Sequence, residues 1–475
     1  MSCSRGPCSP IFKPTTMSGK IAVIGAGPAG SHLSYLLSKQ DQSVTLYESK
    51  VLDKEKPCGG GLTYKIFSDT AIPQDLPVPA RPFNSSRVIS WDDTYVDVAL
   101  QKEIAVVRRR DLDRWLLERA LQAGTSFVNK RVRALEQTRN GWSLSTRGRS
   151  EPYDLVVGAD GANSLVRRTV SSRFKVHEFY KACGYFIRRL GETRIVIKFF
   201  HGLEGYAWVF PGVEYASAGI CGTGHKHGTS GLKRRLTKFL AGHYSENQLK
   251  NRRSFAWVIP SLPHDDFRQF KIAGCDWALV GDAAGLADPI TGEGIYYAIR
   301  SAEILAKCLL DDRMDGYASM IYKQFGANLA RAASLKRLFF SPGFIENIVL
   351  LARASPAIRT VLSDLYTGAQ DYLSLEQRLV KCVVPCMKAM MSPKRLPFLA
   401  RAIFNIGRMA RTYRQGKLVD ESRGSCRAHR AAECLVNATT RTQTQTPRNG
   451  PMVGLISPLK KSGQNNRSSR RSLCT

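Results

Sequence analysis

A chain of 475 residues with 43% hydrophobic and 23% charged residues has a globular composition, long enough for about two or three domains with a proper core. Its formal charge of +31 favours polyanions, anionic lipid or phosphorylated substrates, but no helix-turn-helix, zinc-finger or RNA-binding signature accompanies it, so nucleic acid is not expected. No apolar run is long enough for a spanning helix, and twelve scattered cysteines without a secretory core in residues 1–16 point to free thiols in a reducing cytoplasm.

Residues 1–17 are Ser- and Pro-rich and are expected to be disordered, with Met17 as an alternative start. The chain is organised around residues 20–48. Ile21–Ile24 reads as a buried parallel strand, and Gly25, Gly27 and Gly30 follow it in the spacing G-x-G-x-x-G, with Ala29 inside the same turn. Residues 31–37 carry apolar side chains at helical spacing. Val44–Tyr47 is a second strand that ends at Glu48. In such a unit Gly25 makes the tight turn, Gly27 lets backbone approach a pyrophosphate, and Gly30 lets the helix pack on the strand. The free N–H groups of the helix face the phosphates. Glu48, 23 positions after Gly25, stands where a carboxylate accepts ribose hydroxyls. The unit predicts a dinucleotide site; a glycine-rich turn in an ordinary α/β domain is the plain alternative.

Residues 56–63, KPCGGGLT, form a loop through Gly59, Gly60 and Gly61 that lets backbone pass close to something flat or bulky. Cys58 beside it reads either as a reactive thiol or as a small packing residue. Residues 73–82 are a proline-rich connection and 87–104 read as strands. Residues 107–120 predict an amphipathic helix with Leu112, Trp115, Leu116 and Ala120 on one face. Residues 126–146 predict a small meander. Residues 154–158 are another buried strand, followed by ADGAN at 159–163, where Asp160 faces a ligand crevice.

Residues 182–198 and 205–222 predict strands of a second, sheet-rich domain. Tyr206, Trp208 and Phe210 have period 2, so they share a face that is either core or the wall of a pocket. Residues 233–240 predict a basic amphipathic helix. His225 and His227 form an isolated pair, and Cys382 and Cys386 lack further partners, so no metal site is expected. Residues 277–280 are the last buried strand, running into Asp282. Pro289, Gly292 and Gly294 then turn into a long helix whose N-terminus suits negative charge. Residues 311–416 read as helical with breaks at Pro342, Pro356, Pro385, Pro393 and Pro397. Residues 398–413, with arginines at 401, 408 and 411 and Arg414 directly after, suit a membrane surface or a docked helix equally. Residues 417–475 are expected to be disordered; from Arg423 onward they hold ten Lys and Arg against one acid, Glu433.

Four signals stand in order: GAGPAG (25–30), R-x-x-L-D (109–113), ADGAN (159–163) and GDAAG (281–285). Over roughly residues 18–310 the chain resembles the FAD-dependent oxidoreductases of the p-hydroxybenzoate hydroxylase fold. The resemblance implies that the glycine turn and Glu48 bind the ADP half of FAD. It implies that Arg109, with Arg108 next in line, contacts flavin or pyrophosphate. Asp160 and Gly161 match a short cofactor motif, and Asp282 matches an aspartate on the ribitol hydroxyls. Gly59, Gly60, Gly292 and Gly294 complete the implied cofactor site. KPCGGGL and GYAWVFP are similar to the geranylgeranyl reductase branch, whose Y-x-W-x-F-P pattern matches at Tyr206, Trp208, Phe210 and Pro211. Gly219 follows Pro211 by eight residues, and Cys221 stands where a second glycine is expected.

This resemblance implies hydrogenation of C=C bonds in a geranylgeranyl or related isoprenoid lipid or prenyl diphosphate. The hydride comes from reduced flavin, Cys58 serves as proton donor, and NADPH or a ferredoxin is the reductant. An FAD-dependent monooxygenase or flavin halogenase is the alternative enzyme, and a fold that binds prenylated proteins is the non-catalytic one. The expected fold class is α/β. A Rossmann-like FAD-binding domain (about 18–66, 104–175 and 271–310) receives an antiparallel β-sheet substrate domain (about 67–103 and 176–270), followed by a helical region (311–416). The expected location is cytoplasmic, with peripheral contact at a membrane as an open reading.

Overall fold

The computed structural model describes residues 19–49, 55–223, 228–269 and 271–389. The terminus 1–17, His225, His227, Pro393, Pro397, the segment 398–413, the tail 417–475 and the side chain of Cys386 lie outside the described residues.

Short apolar runs build a parallel sheet in the order Trp277–Leu279, Leu155–Gly158, Ile21–Ile24, Val44–Tyr47, Ser126–Val128. Its interior strands are apolar on both faces, as a sheet covered by helices requires. The register sets Ile24 opposite both Gly158 and Tyr47, and Leu279 opposite Gly158. Gly25, Glu48, Ala159 and Val280 therefore leave the sheet at one edge. Helices Pro28–Ser38, Arg109–Gln122 and Ile295–Leu310 pack together beside it. Leu112, Leu116 and Ala120 are buried as the helical spacing predicts.

Ser126–Val128 was expected in a meander, but it pairs in parallel with Val44–Tyr47. The meander is Ala134–Thr138, Gly141–Thr146 and Arg149–Tyr153. Three residues cannot announce a distant partner, and the exposed edge of the parallel sheet recruits them.

The second sheet has eight strands, with Arg252–Pro260 at one edge and Gly61–Leu62 at the other. It is antiparallel except where Ile195–Phe199 runs parallel to Ala80–Ile89. No tight turn joins those two strands, so no hairpin dictates their direction. The third glycine of the loop thus ends in a short strand against residues 105–106. Alternation sorts the faces. Ala207 and Val209 pack toward helix Thr229–His243, which covers the sheet with Leu232, Leu236, Phe239 and Leu240. Tyr206, Trp208 and Phe210 line a cavity on the other face.

Helices Pro342–Ala354 and Pro356–Thr367 begin at their prolines, where the missing N–H is harmless. Pro385 does not break the chain as expected: helix Leu375–Ala389 runs through it. A proline removes one amide donor, and the flanking turns carry the helix past it. No described helix is long and apolar enough to cross a membrane.

Candidate functional site

A cavity of about 1080 Å³ runs from the carboxyl edge of the parallel sheet to the aromatic face of the second sheet. It is lined by Gly25, Gly27, Ala29, Glu48, Cys58, Gly59, Gly60, Arg109, Asp160, Gly161, Asp282, Gly292, Gly294, Tyr206, Trp208 and Phe210. Gly30, Pro211, Gly219 and Arg108 are not among its walls.

At the parallel-sheet end, Gly25 turns with φ +108° and its N–H donates to Tyr47 O at 2.7 Å. Glu48 reaches back and accepts from Ala26 N at 3.1 Å. A side chain at Gly27 would meet no protein atom within 4 Å, so backbone there faces open cavity. Gly30 differs: its Cβ would stand 1.9 Å from Gly25 O. Its part is the packing of helix on turn, not contact with a ligand.

Asp160 accepts from Leu165 N at 2.6 Å through Oδ2, while its buried Oδ1 has no hydrogen-bond partner. Burial pushes its pKa up. The carboxyl of Asp282, partly buried on the cavity wall, is pushed up to about 6 by desolvation, with Arg109 offsetting part of the effect. Gly294 makes room for it, since a Cβ there would lie 3.1 Å from Asp282 Oδ1.

Arg109 faces the cavity and is tied to Asp113 at 3.0 and 3.2 Å, while Lys56 pairs with the same carboxylate at 2.6 Å. Burial opposes the guanidinium charge, but Asp113, with Cys58 alongside, overrides it and holds Arg109 protonated. Arg108 turns away to Glu55 at 2.6 Å and to Glu214, so of the two arginines only Arg109 reaches the cavity. Cys58 Sγ accepts from Gly60 N at 3.3 Å, and its carbonyl accepts from Ser217 Oγ at 2.8 Å. Trp208 Nε1 donates to the same Ser217 at 3.3 Å. One hydroxyl therefore couples the cysteine loop to the aromatic strand.

The flat object that the glycine loop passes is the ring of Phe210. A Cβ on Gly59 or on Gly61 would sit 3.1 Å from it. Tyr206 and Trp208 follow along the strand, with ring centroids 6.1 Å apart. The Tyr206 hydroxyl donates to Thr291 O in the turn before helix Ile295–Leu310. Gly219 sits behind the wall: its Cβ would lie 2.2 Å from the Trp208 indole, so the glycine admits that ring. Pro211 pairs with Ala216 at the strand end. Cys221 lies opposite Tyr206, fully buried and outside the cavity, and burial pushes its thiol up to about 12. The cysteine therefore does not narrow the cavity.

Sequence reasoning missed two charged groups on the wall. Lys130, Arg131, Arg133 and Arg168 stand at the parallel-sheet end and read in sequence as solvated charge. At the far end Asp288 accepts from Ile290 N at 2.8 Å, Thr291 N at 2.9 Å and Tyr372 Oη at 3.2 Å. Thr63 donates to Glu293 at 2.6 Å. The Asp-Pro at 288–289 was a turn signal that marked this loop. Among the described residues no three His, Cys, Asp or Glu side chains gather as a metal site.

A family described as FAD binding domain matches residues 19–186. The chain is 30% identical to a geranylgeranyl diphosphate reductase of Rhodobacter capsulatus, over 66% of this chain and 79% of that protein. It is 26% identical to a digeranylgeranylglycerophospholipid reductase of Methanosphaera stadtmanae, over 70% of this chain and 91% of that one. A solved geranylgeranyl bacteriochlorophyll reductase-like protein of Thermoplasma acidophilum shares the fold. Its TM-score is 0.64 at 20% identity, covering 77% of this chain and 99% of that one.

Proposed function

The chain belongs to the geranylgeranyl reductase family of FAD-dependent oxidoreductases, and on that footing we propose that it hydrogenates C=C bonds of an isoprenoid chain laid along the face of Tyr206, Trp208 and Phe210. The observation that carries this reading is one continuous cavity joining that aromatic face, Cys58 and the nucleotide turn. The residues present fit FAD. Gly27 and Gly161 leave backbone open to the cavity, Asp160 offers a buried acceptor without a partner, and four cations stand by for a pyrophosphate. Glu48 is assigned to the ribose, Arg109 to the pyrophosphate or ring, and Asp282 to the ribitol hydroxyls.

Reduced flavin, when bound, supplies a hydride for one alkene carbon. Cys58 is assigned the proton for the other: its S–H bond breaks as a C–H bond forms. Gly60 N–H and the Arg109 guanidinium stand ready to hold the resulting thiolate. The aromatic stripe binds the chain by burial, at roughly 25 cal/mol per Å² of apolar surface, and its ring faces favour positive charge developing on the alkene. The contact of Phe210 with Gly59 and Gly61 joins the two motifs that distinguish a reductase from a monooxygenase or halogenase on this fold. NADPH or a ferredoxin is the proposed electron source. A charge of +31 suits peripheral contact with an anionic lipid surface that delivers the substrate.

The test is anaerobic oxidation of the reduced holoenzyme by prenyl compounds. Cys58→Ser is expected to slow turnover by about 100-fold with flavin retained, and unchanged turnover would return Cys58 to a packing role. Asp282→Ala is expected to lose FAD, and full retention would remove its assignment. Protein that purifies without flavin and takes up none would end the enzyme reading.

A further inference from the structure

Two segments far apart in sequence line the cavity together. One is the cysteine loop, with Cys58, Gly59 and Gly60 on the wall. The other is the turn 288–294 before helix Ile295–Leu310, with Gly292 and Gly294 on the wall. The turn is tied to the rest of the fold by tyrosines. Tyr180 Oη donates to Pro289 O at 2.6 Å, Tyr206 Oη donates to Thr291 O, and Tyr372 Oη donates to Asp288 at 3.2 Å. The loop is tied on its own side: Val107 N donates to Gly60 O at 3.0 Å, and Ser217 Oγ donates to Cys58 O at 2.8 Å.

Among the described residues, the hydrogen bond and the ion pair that join loop to turn both end on Glu293. Its Oε1 accepts from Thr63 Oγ1 at 2.6 Å, and its Oε2 pairs with Lys65 Nζ. Thr63 directly follows the short strand Gly61–Leu62 that ends the cysteine loop, and Glu293 stands between Gly292 and Gly294. Both charged side chains are largely buried. Lys65 is held on several sides. Its Nζ lies 3.3 Å from Tyr297 Oη and 4.4 and 4.6 Å from the ring centroids of Tyr296 and Tyr297. A Cβ on Gly368 would come within 2.7 Å of its Cδ. Neutralising Lys65 needs only one carboxylate oxygen; the other is engaged by Thr63. An amide at 293 would offer a single acceptor oxygen and could keep one tie but not both.

We propose that Glu293 is a positioning residue: it sets the spacing between the Cys58 loop and the turn at Gly292–Gly294, and with it the approach of the thiol to a substrate held against the flavin. The proposal rests on the reading in which Cys58 supplies the proton and this turn borders the flavin. Glu293 acts through Thr63 and Lys65 and has no part in bond making. Where reacting atoms must be aligned, a displacement of about 1 Å lowers the rate by about 100-fold. Binding of the apolar chain depends instead on the aromatic face, so loosening the bridge lowers kcat and leaves KM nearly as it was.

The test compares the holoenzyme with Glu293→Gln, Thr63→Val and Thr63→Ser. One readout is the rate at which iodoacetamide alkylates Cys58, followed by peptide mass spectrometry with and without bound flavin. The other is kcat and KM for anaerobic oxidation of reduced flavin by a prenyl substrate. Glu293→Gln and Thr63→Val are expected to keep flavin, to alkylate at Cys58 severalfold faster, and to lose about tenfold or more in kcat at nearly constant KM. Thr63→Ser keeps the hydroxyl and is expected to behave as the unaltered protein. Unchanged alkylation in both impaired variants overturns the proposal, as does a change confined to KM or a Thr63→Ser as impaired as Thr63→Val. Faster alkylation with kcat unchanged would leave the spacing role standing and count against Cys58 as proton donor. Thr63→Val exchanges a hydroxyl for a methyl of the same shape, so it carries the test alone if Glu293→Gln does not fold.

Discussion

At the nucleotide end of the cavity a side chain added at Gly27 or Gly161 would meet no protein atom within 4 Å, whereas at the sheet end one added at Gly59, Gly61 or Gly219 would strike an aromatic ring of the chain itself. Both ends are built around glycine, for different reasons. At the first, glycine keeps backbone N–H groups open to a ligand. At the second, glycine makes room for Phe210 and Trp208, and those rings line the cavity as the proposed substrate surface. The nucleotide end is specified by backbone. The sheet end is specified by side chains, so the two ends should fail differently when altered.

The largest effect is expected within the nucleotide end. Gly30→Ala forces a Cβ to 1.9 Å from Gly25 O, and backbone cannot swing aside as a flexible side chain can. A loss of about 4 kcal/mol of stability is expected, with flavin lost in the same step. Gly27→Ala should fold normally and bind flavin weakly. Thermal denaturation and flavin absorbance on both variants check this, and equal damage from the two would break the distinction between packing glycine and ligand glycine.

Next in size is the pH response of Asp282. Its folded pKa of about 6 lies above the ordinary 3.8, so between those values the folded, flavin-free protein binds a proton that the unfolded chain does not. The stabilisation is therefore full below about pH 4 and is lost as pH rises through 6, by about 3 kcal/mol. Asp282→Asn should remove it. Carboxylates held low by partners, such as Asp97 with Arg87, act in the opposite direction, so the measurement is the difference between the two proteins across pH 4–7. A flat difference would show that Asp282 is better solvated than its burial indicates.

At the sheet end Gly219→Ala would set a Cβ 2.2 Å from the Trp208 indole. The ring has cavity on its other side, so the chain should fold with a loss of about 1–2 kcal/mol. The indole moves into the substrate path. KM for a prenyl substrate is expected to rise about tenfold with the flavin spectrum unchanged; a change in the spectrum would mean that the two ends are not independent.

What the sequence disclosed follows the same division. The nucleotide end was legible because its parts are local: strand, turn, helix and Glu48 fall within residues 20–48, and hydrophobic period and glycine spacing report on them directly. The shared face of Tyr206, Trp208 and Phe210 was legible for the same reason. What escaped depends on partners far along the chain. Ser126–Val128 joins a strand some eighty residues earlier. Gly219 answers to an indole on the neighbouring strand. Asp288 and Glu293 take Tyr372 and Thr63 as hydrogen-bond partners, 84 and 230 residues away along the chain.

Cys221 gives the smallest effect and the sharpest separation. It departs from the glycine expected there, yet it stands across the strand pair from Tyr206, fully buried and not on the cavity wall. With the thiol fully buried and pushed up to about 12, almost none of it is thiolate at neutral pH. Cys221→Ala removes one buried sulfur and should cost about 1 kcal/mol, leaving KM and flavin binding as they were. Cys58 is partly exposed and lines the cavity, so a thiol-alkylating reagent applied to the native protein should modify Cys58 and spare Cys221. A changed KM in Cys221→Ala would mean that Tyr206 relies on its cross-strand neighbour for its position. The aromatic wall would then be set by a residue that does not line it, as the nucleotide turn is set by Gly30.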